Sequence, residues 1–275
     1  MTTYRNVRLY SFAIVLLFLG VLIASRSSGK SQRPQTNEQE VLIKPIERIE
    51  DLRIVNRTST FNVAGIKKIS DNLFEITYKN DHSKAITGFE VSIGGMRIQT
   101  ELILGGDEQQ FISPGNTFQK AYAAQEGLER HGIQILAVIF DDGSSDGDSK
   151  YIKEITDYRL GMRTERQRVL ALLEEVIMSK DQNLSTALGE LETDMSSTIA
   201  STQQDSRLDN VGLGIRNERR RTLDEIRILK DKHQDTQVDQ GKGRQLKEDL
   251  LVVKAMSENI IRLASLSSRP QRSSQ

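Results

Sequence analysis

The octapeptide "DDGSSDGD", Asp141 to Asp148, sets four carboxylates and two glycines directly after the apolar run "IQILAVIF". Three chemistries use such a set: calcium ligation, acid–base catalysis, or the turn and cap that join a strand to a helix. For calcium, an EF-hand register beginning at Asp142 brings Ser144, Asp146 and Asp148 to ligand positions and Gly147 to the turn glycine. The twelfth position is then Lys153, and the bidentate acid such a loop needs, Glu154, comes one residue late. Asp142, Asp146 and Asp148 are therefore candidate ligands for weak calcium binding only. The cap reading accounts for every residue: Asp141–Gly143 turns the chain, and Asp148 caps a helix that starts near Ser149. A hydrolase reading would need two of these acids opposed across a cleft, and no aromatic platform for a sugar is nearby.

Other chemistry is sparse. The chain has no cysteine, which removes disulfides, thiolate catalysis and Cys-ligated zinc. The nucleophile-elbow, zinc-protease and phosphate-loop patterns are absent. His82, His131 and His233 stand apart from one another and read as surface imidazoles. Gly94–Gly95 and Gly105–Gly106 lack the strand–loop–helix setting of a phosphate cradle and read as turns. "RNERRR", Arg216 to Arg221, is the densest basic stretch, but Asp209, Glu218, Asp224 and Glu225 surround it and no aromatic accompanies it. It reads as a solvated helix face with intrahelical pairs. Lys+Arg and Asp+Glu both number 38, so net charge does not point to nucleic acid. No catalytic residue and no cofactor is assigned.

The elements that would position these residues begin with a membrane segment. Arg5 and Arg8 precede an uncharged apolar run from Leu9 to Ala24. Through Ser25 it would make a helix of roughly 26 Å, slightly under the ~30 Å hydrocarbon core. A cleaved signal peptide has the same outline, but its best site, "LIA" at Leu22 to Ala24, offers large Leu22 where a small residue is wanted. A retained anchor is the reading adopted, contacting the bilayer through Leu9–Ala24. Basic residues flank both ends, so orientation rests on the short tail of residues 1–8, which favours an extracytoplasmic chain. Polar residues 26–40 read as a flexible tether.

From residue 41 to 148 the pattern is two-residue alternation punctuated by turns. Phe74, Ile76 and Tyr78 share one face of "LFEITYKN", and Phe89, Val91 and Ile93 one face of "ITGFEVSI". "LRIVNR", "NVAGIKKI", "RIQTELIL" and "TFQKAYAA" are further strand-like pieces. Ile133 to Phe140 is apolar at both parities, as a central strand covered on both faces would be. The spacing predicts a small β-sandwich. "ITYKNDHSKAITGFEVSI" followed by "ISPGNTFQ" resembles the strand, Asn-containing turn, strand and Pro-Gly turn of immunoglobulin-like accessory modules in exported bacterial proteins. The resemblance spans residues 41–148 and implies a binding or spacing module; it transfers no functional residue.

After Lys150 the period changes to threes and fours. Stripes run through Ile155, Met162, Val169, Leu173 and Val176, through Leu184, Leu188, Leu191 and Met195, through Ile215, Leu223 and Ile226, and through Leu246, Leu250, Val253, Ile260 and Leu263. Residues 149–267 are predicted to form amphipathic helices of coiled-coil or helical-hairpin type. Breaks are expected near Lys180–Asn183, at Gly212–Gly214 and at Gln240–Gly243, and residues 268–275 are expected to form a disordered tail. The fold class expected is α+β, segregated: a transmembrane helix, a small β-sandwich, then long helices that self-associate or hold a protein partner. The functional expectation is a non-enzymatic, single-pass envelope protein that binds or scaffolds.

Overall fold

The computed structural model describes residues 52–104, 111–124, 127–178, 184–202, 209–233 and 240–266. The expected anchor, tether and C-terminal tail lie outside them. Among the described residues no helix is long and apolar enough to cross a membrane. The described residues form one compact unit, an α+β fold with its strands first and its long helices last.

Strands β1 (Ile54–Asn56), β2 (Phe61–Ser70), β3 (Leu73–Asn80), β4 (Ile86–Ile93), β5 (Met96–Glu101), β6 (Thr117–Ala123), β7 (Ile133–Phe140) and β8 (Ser145–Gly147) form two sheets. One sheet has the order β1-β7-β4-β5, with β8 also on β7; the other is β2-β3-β6. All pairs are antiparallel except β1 with β7. The alternating apolar positions do what their period requires. Phe74, Ile76 and Tyr78 of β3 and Phe89, Val91 and Ile93 of β4 share one buried cluster with Phe61, Tyr122, Ile133 and Ile135. Phe61 and Tyr78 stack at 5.2 Å between ring centres, and the Tyr78 hydroxyl donates to that of Tyr122 at 3.0 Å. Burial raises the pKa of both phenols, Tyr122 to about 12. Fully buried Asn80 explains its turn: its amide donates to the carbonyls of Ile112 (2.7 Å) and Lys84 (2.8 Å).

The apolar character of β7 at both parities has a geometric origin. A register shift where Glu90 and Val91 face Ala137 and Ile135 swaps the inward parity. Ile133, Ile135, Val138 and Phe140 then face the core between the sheets, while Ala137 and Ile139 turn outward onto Ile155. Strand β8 is not anticipated by the sequence. It is three residues of a loop composition, held because Asp141–Ser144 reverses the chain tightly enough for Ser145–Gly147 to pair back on β7. Gly147, at φ 116°, makes the close approach; a Cβ there would lie 2.5 Å from the Leu136 carbonyl oxygen.

A short helix α1 (Leu128–His131) precedes β7, and a 3-10 turn (Leu102–Leu104) follows β5. The long helices are α2 (Ser149–Met178), α3 (Leu184–Thr202), α4 (Asn210–Lys232) and α5 (Gln240–Leu266). Helix α2 packs along α4 and α5, whereas α3 lies chiefly on α4. The expected break at Gly212–Gly214 does not exist: α4 runs through it. Gly214 and Gly161 instead let two backbones touch, since a Cβ on either would collide with a carbonyl of the other helix, Tyr158 or Val211. Gln240–Gly243 likewise belongs to the first turn of α5 rather than to a turn before it. The expected break near Lys180–Asn183 lies largely outside the described residues.

Candidate functional site

The acidic octapeptide divides its carboxylates among separate partners. Asp142 Oδ2 pairs with Lys84 Nζ at 2.6 Å, and its Oδ1 accepts from the Ser144 amide and hydroxyl. Burial pushes the Asp142 carboxyl up, but Lys84 and the two Ser144 donors outweigh it and hold it near a pKa of about 2. Such a group is an anion at neutral pH, unable to give a proton as a general acid. Asp146 Oδ2 accepts from the Ser59 amide at 2.6 Å and the Ser59 hydroxyl at 2.8 Å. Asp148 Oδ1 accepts from the Lys150 amide at 3.0 Å, inside the first turn of α2, while its Oδ2 takes Arg57 Nη1 at 3.0 Å. Asp148 is thus an N-cap that also ties α2 to the segment after β1. The structure does not gather Asp142, Asp146 and Asp148 around a common point, and among the described residues no group of three or more His, Cys, Asp or Glu could hold a metal ion. The three histidines stay apart: His82 stacks on Phe140, His131 lies against Gly95 and Gly127, and His233 Nε2 is 3.0 Å from Asp249 Oδ2.

Helix α2 carries a second set of charges that sequence reasoning missed. Ile155, Arg159, Met162, Arg166, Val169 and Leu173 are all buried, at spacings of four, three, four, three and four. Arginine therefore fills two positions of an otherwise apolar heptad. Arg159, 1% exposed, donates from Nε to Glu101 at 2.9 Å and from Nη2 to Thr87 at 3.2 Å. Gly88 makes room for it, because a Cβ there would strike the guanidinium. Arg166, equally buried, meets Glu218 at 2.5 Å, Glu225 at 2.9 Å and the Ser257 hydroxyl at 3.3 Å. Burial would lower the Arg166 pKa, but the two glutamates more than compensate and raise it. Glu165 takes Arg219 through both oxygens at 2.9 Å and also Arg168 at 2.8 Å; burial raises its carboxyl, and these guanidiniums bring it below the ordinary range.

"RNERRR" is consequently not a solvated face along its length. Glu218 and Arg219 are interior, and Arg221 reaches the Leu104 carbonyl at 3.1 Å. The signal that could have found this layer was present: the α2 stripe skips 159 and 166, and the α5 stripe skips 257, each at heptad phase. The Arg166–Glu218 and Arg219–Glu165 pairs join α2 to α4, and the Arg159–Glu101 pair joins α2 to β5.

A concave surface lies between α2 and α3. Leu172, Glu175 and Val176 of α2 and Ala187, Glu190, Leu191 and Asp194 of α3 line a groove of about 300 Å³. Ala187 and Leu191 are buried in its wall, while the three acids are exposed at its rim. Arg168 reaches Asp194 at 3.4 Å. Glu175 and Glu190 have no ion-pair partner among the described residues. Its lining is aliphatic apart from these three carboxylates and includes no histidine, serine, threonine or lysine. No protein-family model, curated protein or solved structure matches this chain.

Proposed function

We propose that the protein is a non-enzymatic, membrane-anchored envelope protein whose exported part binds or scaffolds another protein. The observation that carries this is the groove between α2 and α3: an apolar trough rimmed by carboxylates, whose α2 wall belongs to the helix that the buried Arg159–Glu101 pair ties to β5. Its lining suits recognition of a surface rather than turnover of a small molecule. The apolar run Leu9–Ala24 supplies the bilayer contact, and the polar residues 26–40 the reach. The strand order supports reading the β elements as an immunoglobulin-like sandwich, with β2-β3-β6 in the place of strands A, B and E and β4-β7 in that of C and F. A spacer of this kind would hold the helices away from the membrane.

The full-length protein should stay in the membrane pellet through salt and carbonate washes. Replacing Leu16 and Leu17 by Lys should release it, because each charge at the centre of a span costs roughly 2.5–3.5 kcal/mol of insertion. A tag after residue 275 should be accessible in intact cells. An intact mass lacking residues 1–24 would replace the anchor by a cleaved signal, and a tag reached only after permeabilisation would place the helices in the cytoplasm.

A further inference from the structure

Resting on the reading of the chain as a binding module, we propose that the α2–α3 groove docks a basic amphipathic helix of a partner protein. The walls dictate the shape of the occupant. Leu172 and Val176 on α2, and Ala187 and Leu191 on α3, are each four residues apart, so each wall presents an apolar pair one helical turn long. A third helix laid between two helical walls fits side chains spaced by three and four into such a trough. A volume of about 300 Å³ accepts a few aliphatic side chains and no more, so the anchor is short.

The rim dictates the charge. Acids next to the groove on the same helices are neutralised within the fold: Glu174 by Lys254 at 2.7 Å, Glu192 by Lys230 at 2.8 Å and Arg227 at 3.0 Å. Glu175 and Glu190, which face the groove, have no such cation among the described residues, and Asp194 meets Arg168 at 3.4 Å. The unpaired charge of Glu175 and Glu190 thus lies beside this apolar trough. A helix carrying Lys or Arg beside its leucines would supply both complements. The exposed apolar side chains of α5, Leu251, Val252 and Met256, make a second copy of this chain the competing occupant. Glu248, Lys254 and Glu258 flank them, a mixed set that offers no excess of positive charge.

The test uses the full chain in zwitterionic nanodiscs, with empty nanodiscs as the blank. The probe is a fluorescent synthetic amphipathic helix of Leu and Lys, read by anisotropy. Its comparators are the Leu/Glu counterpart and a Leu/Lys scramble with no apolar face. The Leu/Lys helix should bind and both comparators should not. Glu175→Lys with Glu190→Lys should weaken binding at least about tenfold, since both acids face the bound cations. Asp71→Lys with Glu75→Lys, an equal charge reversal on the β2-β3-β6 sheet, should change it less than about twofold because screening over distance removes its effect. Both target positions are exposed, and an unchanged melting temperature confirms that the variant is folded. Undiminished binding by the groove variant overturns the proposal, as does equal binding of the Leu/Glu helix, or no binding of the Leu/Lys helix. Concentration-dependent dimers abolished by the same groove variant would assign the groove to a second copy instead. Retention in the carbonate-washed pellet reads the anchor separately, so loss of groove binding and loss of the membrane reading are distinguishable.

Discussion

Asp142 and Asp148 lie six positions apart in one acidic stretch and do different work. Asp148 satisfies an amide that the start of α2 would otherwise leave open and also holds Arg57. Asp148→Ala should therefore cost about 1 kcal/mol for the cap, measured by chemical denaturation, and Asp148→Asn should recover part of it. Asp142 contributes through ionisation. Its carboxyl titrates near about 2 in the folded chain, below the ordinary value near ~3.9. Its stabilisation is therefore present above pH ~4 and lost as pH falls from there through about 2. Glu165 and Asp249 are shifted in the same direction, Glu165 by its arginines and Asp249 by Lys232 and His233 against the opposing effect of burial. The melting temperature should be level from neutral pH down to about 5 and fall below about 4. Asp142→Asn should flatten part of that fall; an acid limb that starts above pH 6, or one that Asp142→Asn leaves unchanged, would refute this assignment.

Among the elements, α2 and α4 set the register of the bundle. Their glycines, Gly161 and Gly214, bring the backbones into contact. At that separation buried Glu218 and half-buried Glu225 of α4 can reach Arg166. Glu218→Ala would leave the guanidinium of Arg166, 1% exposed, with only partly exposed Glu225 and the Ser257 hydroxyl as partners among the described residues and should cost about 3 kcal/mol by urea unfolding. Arg166→Met with Glu218→Leu should recover most of this, because neither partner is then left charged in the interior. If the double variant is no more stable than Glu218→Ala, the pair is not the main link across this layer. Gly161→Val should cost at least about 2 kcal/mol, since the added atoms meet the Val211 carbonyl and the helices must separate.

On the scale of the whole described unit, α2 is a strut. Its 30 residues extend for about 45 Å. The N-terminal part packs Ile155 against Ala137 and Ile139 of β7, and the next turns bring Met162 to Ile103, Ile260 and Leu263. Farther on, Val169 and Leu173 enter the cluster shared by α3, α4 and α5. A fragment of residues 41–148 should retain β-type circular dichroism. It should also expose Ile103, Ala137 and Ile139, bind a hydrophobic dye and melt well below the intact chain. Residues 41–275 should melt in one transition followed identically by β and helical signals, because α2 belongs to both cores. Two resolved transitions would show that the helices and sheets are energetically separate.

The alternation of Phe74, Ile76 and Tyr78 and the heptad spacing of Leu246, Leu250 and Val253 determined element types directly, because a period of two or of three and four compels one face inward whatever it packs against. The same holds for Asp148, whose capping acts within one turn of chain. The sequence alone also carries the apolar run Leu9–Ala24. Tertiary structure decided what depends on a partner remote in the chain. Gly214 resembled a helix break until α2 lay against it. Glu218 and Arg219 read as part of a solvated helix face, since a charge is buried only when a second helix brings its counter-ion, here Arg166 and Glu165. Strand β8 exists because β7 offers an open edge. The groove between α2 and α3 belongs to neither helix alone: its apolar pairs and its acids become a single concave surface only when the bundle sets the two helices side by side.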